Sequence, residues 1–272
     1  MEEDTMKNNK KVVLIMILII LIVLLSLVMK QQKNTLETST ESISTAKIEW
    51  GIKRNDNNEQ PDVGIKNKEI LEKNKGICMG NREKKSIYLT FDQGYEAGYT
   101  KQILETLKNN NVKATFFLTA HYLNTQEEVV KQMIDEGHIV GNHTVNHKSM
   151  PSLSEEEIKK EVMDLHTSIY QKFGYDMKYI RPPKGEFSEK SLVTTNSLGY
   201  KTVMWSFAYE DWNENRQPDE AKSKEKILKN LHNGEIMLLH GNSKTNTNIL
   251  DSVIKETKEM GYEFKSLDEF EK

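Results

Sequence analysis

Residues 86–119 read SIYLTFDQGYEAGYTKQILETLKNNNVKATFFLT: a β-rich run, a stretch with helical spacing, then a second β-rich run. The same unit recurs to the end of the chain. Further β-rich runs stand at 138–142, 179–181, 201–206, 235–240 and 262–266, with helical stretches between them. The clearest helix carries Ile158, Val162, Leu165, Ile169 and Phe173, whose steps of three and four set one apolar stripe toward a core. Ser152 and Glu155 fit a capping box at its start. Gly199, Gly234 and Gly261 each follow a helical stretch and precede a strand, which suits the left-handed position past a helix end. Such alternation predicts an α/β fold with a parallel sheet and crossover helices. Periodicity alone leaves open whether the sheet closes into a barrel or stays open and doubly wound.

Upstream the pattern changes. Residues 12–29 are apolar at every position but Ser26, long enough as a helix for a bilayer core of about 30 Å. Lys7, Lys10 and Lys11 precede this run, so residues 1–11 read as a cytoplasmic end and 12–29 as a transmembrane signal anchor. A cleaved signal peptide is the alternative, although its apolar region is usually shorter. Residues 30–47, rich in Thr, Ser, Glu and Gln, read as a flexible stalk. Residues 48–82 read as an extension that docks on the main domain through Trp50, and 83–272 as that domain. This places the domain on the extracytoplasmic side of a single-pass membrane protein. The chain has 38 Lys and Arg against 41 Asp and Glu, a net charge of −3 that gives no reason to expect nucleic acid as a partner. Its one cysteine, Cys78, excludes an internal disulfide framework and a Cys-rich zinc module. No Gly-rich nucleotide fingerprint follows any predicted strand.

In parallel α/β folds the chemistry sits at the carboxyl ends of the strands. Asp92-Gln93-Gly94 follows the first, Asn142-His143 the third with His147 four residues on, and Arg181-Pro182-Pro183-Lys184-Gly185 the fourth. Asp211-Trp212 follows the fifth, and His240 ends the sixth. Each has a bland reading: a turn residue at Asp92, a structural histidine at His240, a surface cation at Arg181. Placement at successive strand ends makes them one set. Neutral imidazoles suit zinc or another borderline divalent ion, and the set fits metal-assisted hydrolysis of an amide or ester. His121, His138, His166 and His232 read as structural or surface histidines, Cys78 as inert, and Tyr95 and Glu96 as bordering the site without an assigned role.

Thr90-Phe91-Asp92-Gln93-Gly94, His143-Thr144-Val145-Asn146-His147, Arg181-Pro182-Pro183-Lys184-Gly185, Asp211-Trp212 and Leu238-Leu239-His240 resemble, in order, the five motifs of the NodB-homology polysaccharide deacetylases, carbohydrate esterase family 4. The resemblance runs over residues 84–271 and implies a distorted (β/α)7 barrel. Within the family, the surrounding sequence looks like the sporulation-associated N-acetylmuramic acid deacetylases. These imply removal of the N-acetyl group from muramic acid in peptidoglycan glycan strands already stripped of peptide by a muramoyl-alanine amidase. Closure to muramic-δ-lactam in spore cortex then follows.

The resemblance implies Asp92 as general base with Arg181 paired to it, His143 and His147 as metal ligands, and His240 as general acid oriented by Asp211. It implies Trp212 against a sugar face and the Lys184 backbone N–H as an oxyanion donor. Most relatives have an aspartate ligand where Gln93 stands here, so Gln93 is expected to contact the ion weakly or through water. Lys184, where many relatives carry an aromatic residue, is expected either to pair with the lactyl carboxylate or to stand as a solvated surface lysine. Two other readings stand beside this one: an N-acetylglucosamine deacetylase of vegetative wall, and a non-catalytic membrane-anchored glycan-binding module.

Overall fold

The computed structural model describes residues 16, 19–27, 29, 43–55 and 57–271. Of the predicted span at 12–29, residues 16, 19–27 and 29 are among them, and the rest of that span lies outside; the stalk at 30–47 lies outside except for residues 43–47. Among the described residues no helix is long and apolar enough to cross a membrane. The chain divides into two units, Met1–Ile43 and Ser44–Lys272. In the first, Ser26 Oγ donates to the Val23 carbonyl at 2.7 Å within a helical stretch.

The second unit holds nine strands among its described residues, β1 (Ile48–Glu49), β2 (Ser86–Gln93), β3 (Thr115–Leu118), β4 (Ile139–Asn142), β5 (Tyr179–Ile180), β6 (Glu186–Phe187), β7 (Lys201–Thr202), β8 (Glu235–His240) and β9 (Glu263–Phe264). Seven make one parallel sheet in the order β7-β5-β4-β3-β2-β8, with β9 on the start of β2. These are the seven runs expected from the sequence. The sheet curls, but no ladder among the described residues closes it, which corrects the expected (β/α)7 barrel to a half-barrel. The segment after β7 changes partners instead. Val203 N–H donates to the Ile180 carbonyl at 2.8 Å, whereas Ser206 N–H donates to that of Ile236 at 3.0 Å. Among the described residues that segment meets β8 through a few such bonds and the isolated bridge Phe207↔Met237 rather than through a strand ladder.

Strand alternation divides the core into two layers. Ile87, Leu89, Phe91, Phe116, Leu118, Val140, Ile180, Met237 and Leu239 pack in one cluster with helix residues such as Leu104, Ile158 and Val162. The opposite parity, including Tyr88, Phe117, Ile139, Tyr179 and Ile236, forms a second cluster on the concave face. Carried to the strand ends, this second parity brings Asp92, His143, Arg181 and His240 to the concave side.

Helix Glu155–Phe173 buries Ile158, Val162, Leu165 and Ile169 completely. Each such burial stabilises the fold by roughly 1.5–3 kcal/mol. Its capping box lies two residues beyond the expected one: Ser154 caps, with Glu157 reciprocating, because Ser152 is taken up in a 3-10 turn at Met150–Ser152. The helix stops at Gly174, which takes a φ of 64°. The start of the 48–82 segment packs on the rest of this unit. Trp50 is buried against Phe187, its Nε1–H donates to the Trp205 carbonyl at 2.9 Å, and β1 pairs antiparallel with β6.

Candidate active site

Asp92 is the penultimate residue of β2, opposite both His240 of β8 and Phe117 of β3. Its Oδ1 accepts from Arg181 Nη1 at 2.8 Å. Arg181 is wholly buried, an arrangement that depends on its neighbours. Its Nε donates to the Val203 carbonyl at 3.1 Å, and its guanidinium lies 4.3 Å from the Phe117 ring centroid. That ring needs Gly141 beside it, since a Cβ there would fall 2.5 Å from Phe117 Cδ1. Burial by itself would raise the Asp92 carboxyl. The Arg181 charge, followed by those of His143 and His240, outweighs it and holds the group below the usual carboxylate value.

His143 follows β4 and turns its Nδ1 to the Arg181 carbonyl at 2.8 Å. A carbonyl only accepts, so Nδ1 carries the hydrogen and Nε2 presents a lone pair. His147 returns to the same point through two left-handed residues, Thr144 (φ 68°) and His147 itself (φ 54°). The His147 N–H donates to Thr144 Oγ1 at 3.1 Å, closing the turn. The two Nε2 atoms stand 3.2 Å apart, and Asp92 Oδ2 lies 3.6 Å from His143 Nε2. Two ligands about 2.05 Å from one tetrahedral ion are about 3.3 Å apart, so the imidazole pair fits a divalent metal. Desolvation lowers both rings below the ordinary histidine value, His147 to about 4, which favours the neutral form a ligand needs. Among the described residues, no three His, Cys, Asp or Glu side chains gather into a cage.

Gln93 is not brought to this pair. It has the parity of Phe91, so its side chain leaves toward the helical layer, where Nε2 donates to Thr100 Oγ1 at 3.2 Å. Its Oε1 is buried without a hydrogen-bond partner. The amide packs over Gly241, where a Cβ would lie 2.1 Å from Gln93 Nε2.

On the other side of Asp92, His240 Nδ1 donates to Asp211 Oδ1 at 2.7 Å, and the His240 backbone N–H donates to Asp211 Oδ2 at 2.9 Å. Burial works against the imidazolium, but the Asp211 charge and hydrogen bond, with Asp92 beyond, raise His240 above its ordinary value. With Nδ1–H held by Asp211, the Nε2–H of the imidazolium is the proton left free to be donated. Trp212, 50% exposed, sets its ring centroid 5.5 Å from that of His240.

Two adjoining clefts of about 550 and 760 Å³ share Asp92, His143, His147, Trp212 and His240. Lys184, Trp205 and Leu238 line one; Tyr95, His121 and Asn242 line the other. His121 therefore borders the groove rather than a remote surface. Glu96 serves the fold instead. Its Oε1 accepts from the N–H groups of Gly98, Tyr99 and Thr100 at 2.6, 2.7 and 3.2 Å, capping helix Thr100–Asn109. Asn246 also reaches this centre, its Nδ2 donating to Asp211 Oδ2 at 2.5 Å. Nothing in the sequence singles it out, because one amide in the first turn of a helix is an ordinary surface residue.

A polysaccharide deacetylase family model matches residues 79–203. The peptidoglycan-N-acetylmuramic acid deacetylase PdaA of Bacillus subtilis (strain 168) is 41% identical over 235 residues, 85% of this chain and 89% of that protein. The chain belongs to the polysaccharide deacetylases. The solved structure of Bacillus subtilis PdaA, described as a family 4 carbohydrate esterase, superposes with a TM-score of 0.81 at 40% identity, covering 84% of this chain and 98% of that one. An uncharacterised 30.6 kDa protein of Geobacillus stearothermophilus is 44% identical over 84% of this chain and 86% of its own length. Members of this family are metal-dependent hydrolases of amide C–N bonds.

Proposed function

We propose that this chain removes the N-acetyl group of N-acetylmuramic acid residues in peptidoglycan glycan strands. The observation that carries the reading is the convergence of a buried carboxylate paired to arginine, two imidazole lone pairs and a carboxylate-bound histidine on one groove. The similarity to PdaA supports the choice of sugar.

Asp92, kept ionised by Arg181, accepts the proton of the attacking water. His143 and His147 would hold a divalent ion, zinc being the best match to two imidazoles. When bound, the ion supplies polarisation of the acetyl carbonyl and acidification of water. The Lys184 N–H donates to the developing oxyanion; Pro183 before it has no N–H to offer. His240, as the imidazolium with its Nδ1–H held by Asp211, gives its Nε2 proton to the departing amine. Water thus adds across the C–N bond, giving acetate and a free amine. Trp212 offers its ring to a sugar face. The Lys184 ammonium, exposed on the cleft wall, pairs with the lactyl carboxylate that distinguishes muramic acid from glucosamine. Such a wet contact contributes about 1 kcal/mol or less.

In this reading residues 12–29 anchor the chain with the hydrolase on the wall side. A muramoyl-alanine amidase exposes its substrate, and the freed amine condenses with the lactyl carboxyl group to muramic-δ-lactam during spore cortex formation. Gln93 takes no direct part in binding the ion. The test is acetate release from amidase-treated peptidoglycan, with Asp92→Asn as the blank. Release from the parent and none from the variant supports the reading; equal release, or none from either, refutes it.

A further inference from the structure

The Asp211–His240 pair is held by a third side chain. Asp211 is 1% exposed, and its two oxygens are not equivalent. Oδ1 takes one bond, from His240 Nδ1. Oδ2 takes two, from the His240 backbone N–H at 2.9 Å and from Asn246 Nδ2 at 2.5 Å. Asn246 Nδ2 also lies 3.4 Å from the His240 carbonyl. The other end of the amide is engaged as well, since the Tyr209 hydroxyl donates to Asn246 Oδ1. A carboxylate only accepts, so the nitrogen must face Asp211, and a donor at Oδ1 fixes the same orientation.

The backbone beneath is equally fixed. Asn246 sits in the first turn of helix Lys244–Glu259, where Ser243 Oγ accepts its N–H at 3.2 Å. Ser243 Oγ in turn donates to Gln217 Oε1 at 2.9 Å. Asn246 itself is 1% exposed and does not line the groove, so it has no route to substrate.

We propose that Asn246, with its amide locked by Tyr209, is a positioning residue that saturates Asp211 Oδ2 and thereby reserves Oδ1 for the imidazole of the general acid. Without the amide donor, the carboxylate can rotate about its Cβ–Cγ bond and share both oxygens between the backbone N–H and Nδ1. The imidazole then loses the fixed direction that points Nε2 at the leaving nitrogen. The inference rests on His240 being the general acid, and the experiment separates the two claims.

An N-acetyl sugar needs its leaving amine protonated. An activated ester such as p-nitrophenyl acetate expels a stable phenolate and does not. Purified metal-loaded parent, Asn246→Ala, Tyr209→Phe and His240→Ala are assayed on both substrates. Asn246→Ala is expected to lose about 10- to 100-fold in kcat on the N-acetylated glycan, with KM within about twofold and ester turnover within about threefold. Tyr209→Phe, which keeps the ring, should show the same selectivity at about 3- to 10-fold, and it decides the matter should Asn246→Ala not fold. An Asn246 variant that loses equally on both substrates, or loses nothing on the glycan, overturns the proposal while a selective His240→Ala leaves the general-acid reading intact. Equal loss in His240→Ala overturns that reading and the proposal with it.

Discussion

Replacing Asp211 by asparagine exchanges one carboxylate oxygen for an NH2 group and tests how the proton donor is built. The carboxylate accepts three hydrogen bonds, two of them from His240. Asparagine can keep its oxygen toward the His240 N–H and Asn246 Nδ2. Its own nitrogen then faces His240 Nδ1, donor against donor, unless the ring surrenders that hydrogen. The imidazolium, which carries a hydrogen on both nitrogens, is the form most penalised. A hydrogen bond to a charged group contributes roughly 1.5–3 kcal/mol. Unit charges about 4 Å apart at an effective dielectric of about 20 attract by about 4 kcal/mol, which is a ceiling. At about 1.36 kcal/mol per tenfold, Asp211→Asn should lower kcat on the N-acetylated glycan by about 10- to 150-fold, and by no more than about 1,000-fold.

The pH dependence carries a sign. Asp211 raises His240 above its ordinary value, so the alkaline limb of kcat/KM in the variant should move to lower pH. The same linkage governs stability. The contribution of this pair is fully present below the ordinary imidazole value of about 6.5 and is lost as pH rises through the raised folded value. Urea denaturation should therefore show a larger parent-minus-variant difference at acid pH than at alkaline pH. A loss under about threefold in kcat together with an unmoved alkaline limb would mean that Asp211 does not sustain the proton donor.

Arg181→Met removes the partner of a buried carboxylate and should cost about 3–5 kcal/mol in urea denaturation. It should also move the acid limb of kcat/KM to higher pH, because burial of Asp92 is then unopposed by the guanidinium; an unmoved limb refutes the pairing. In the parent this pair stabilises the fold above the unfolded carboxylate value of about 3.9, and that stabilisation is lost as pH falls through the lowered folded value. Gly241→Ala forces a Cβ into the Gln93 amide and should destabilise by about 1–3 kcal/mol, with Gln93→Ala in the same chain recovering most of the loss; no recovery in the double variant refutes the contact. Zinc titration by calorimetry should show His143→Ala at least about 100-fold weaker than parent and Gln93→Ala within about threefold. A large effect of Gln93→Ala would return the amide to the metal.

Much of this was legible from residue types. All seven parallel strands follow from β-rich runs alternating with helical spacing, and the carboxyl-end rule points to Asp92, His143, Arg181, Asp211 and His240 before any coordinates. What the sequence hides are choices of partner. Val203 and Phe207 lie in one β-rich run, yet Val203 bonds to β5 and Phe207 to β8 at the far end of the strand order, so the run reads as a longer strand than the two residues of β7. The β1–β6 pair joins segments well over a hundred residues apart and leaves no local signal. Gln93 looks like a neighbour of Asp92 in function, but strand alternation sends consecutive side chains to opposite faces. Asn246 reaches the site only because Asp211 sits over the first turn of its helix, a meeting no spacing encodes.

If Asp92, His143, His147 and His240 act together on the acetamide of muramic acid, the product itself records it. The decisive measurement is mass spectrometry of amidase-treated peptidoglycan, digested to disaccharides after incubation with the purified metal-loaded enzyme. The muramic acid ring should lose its acetyl group while its glucosamine neighbour stays acetylated, with no change in the Asp92→Asn control. Deacetylation confined to glucosamine, or an unmodified product, would contradict the proposed function.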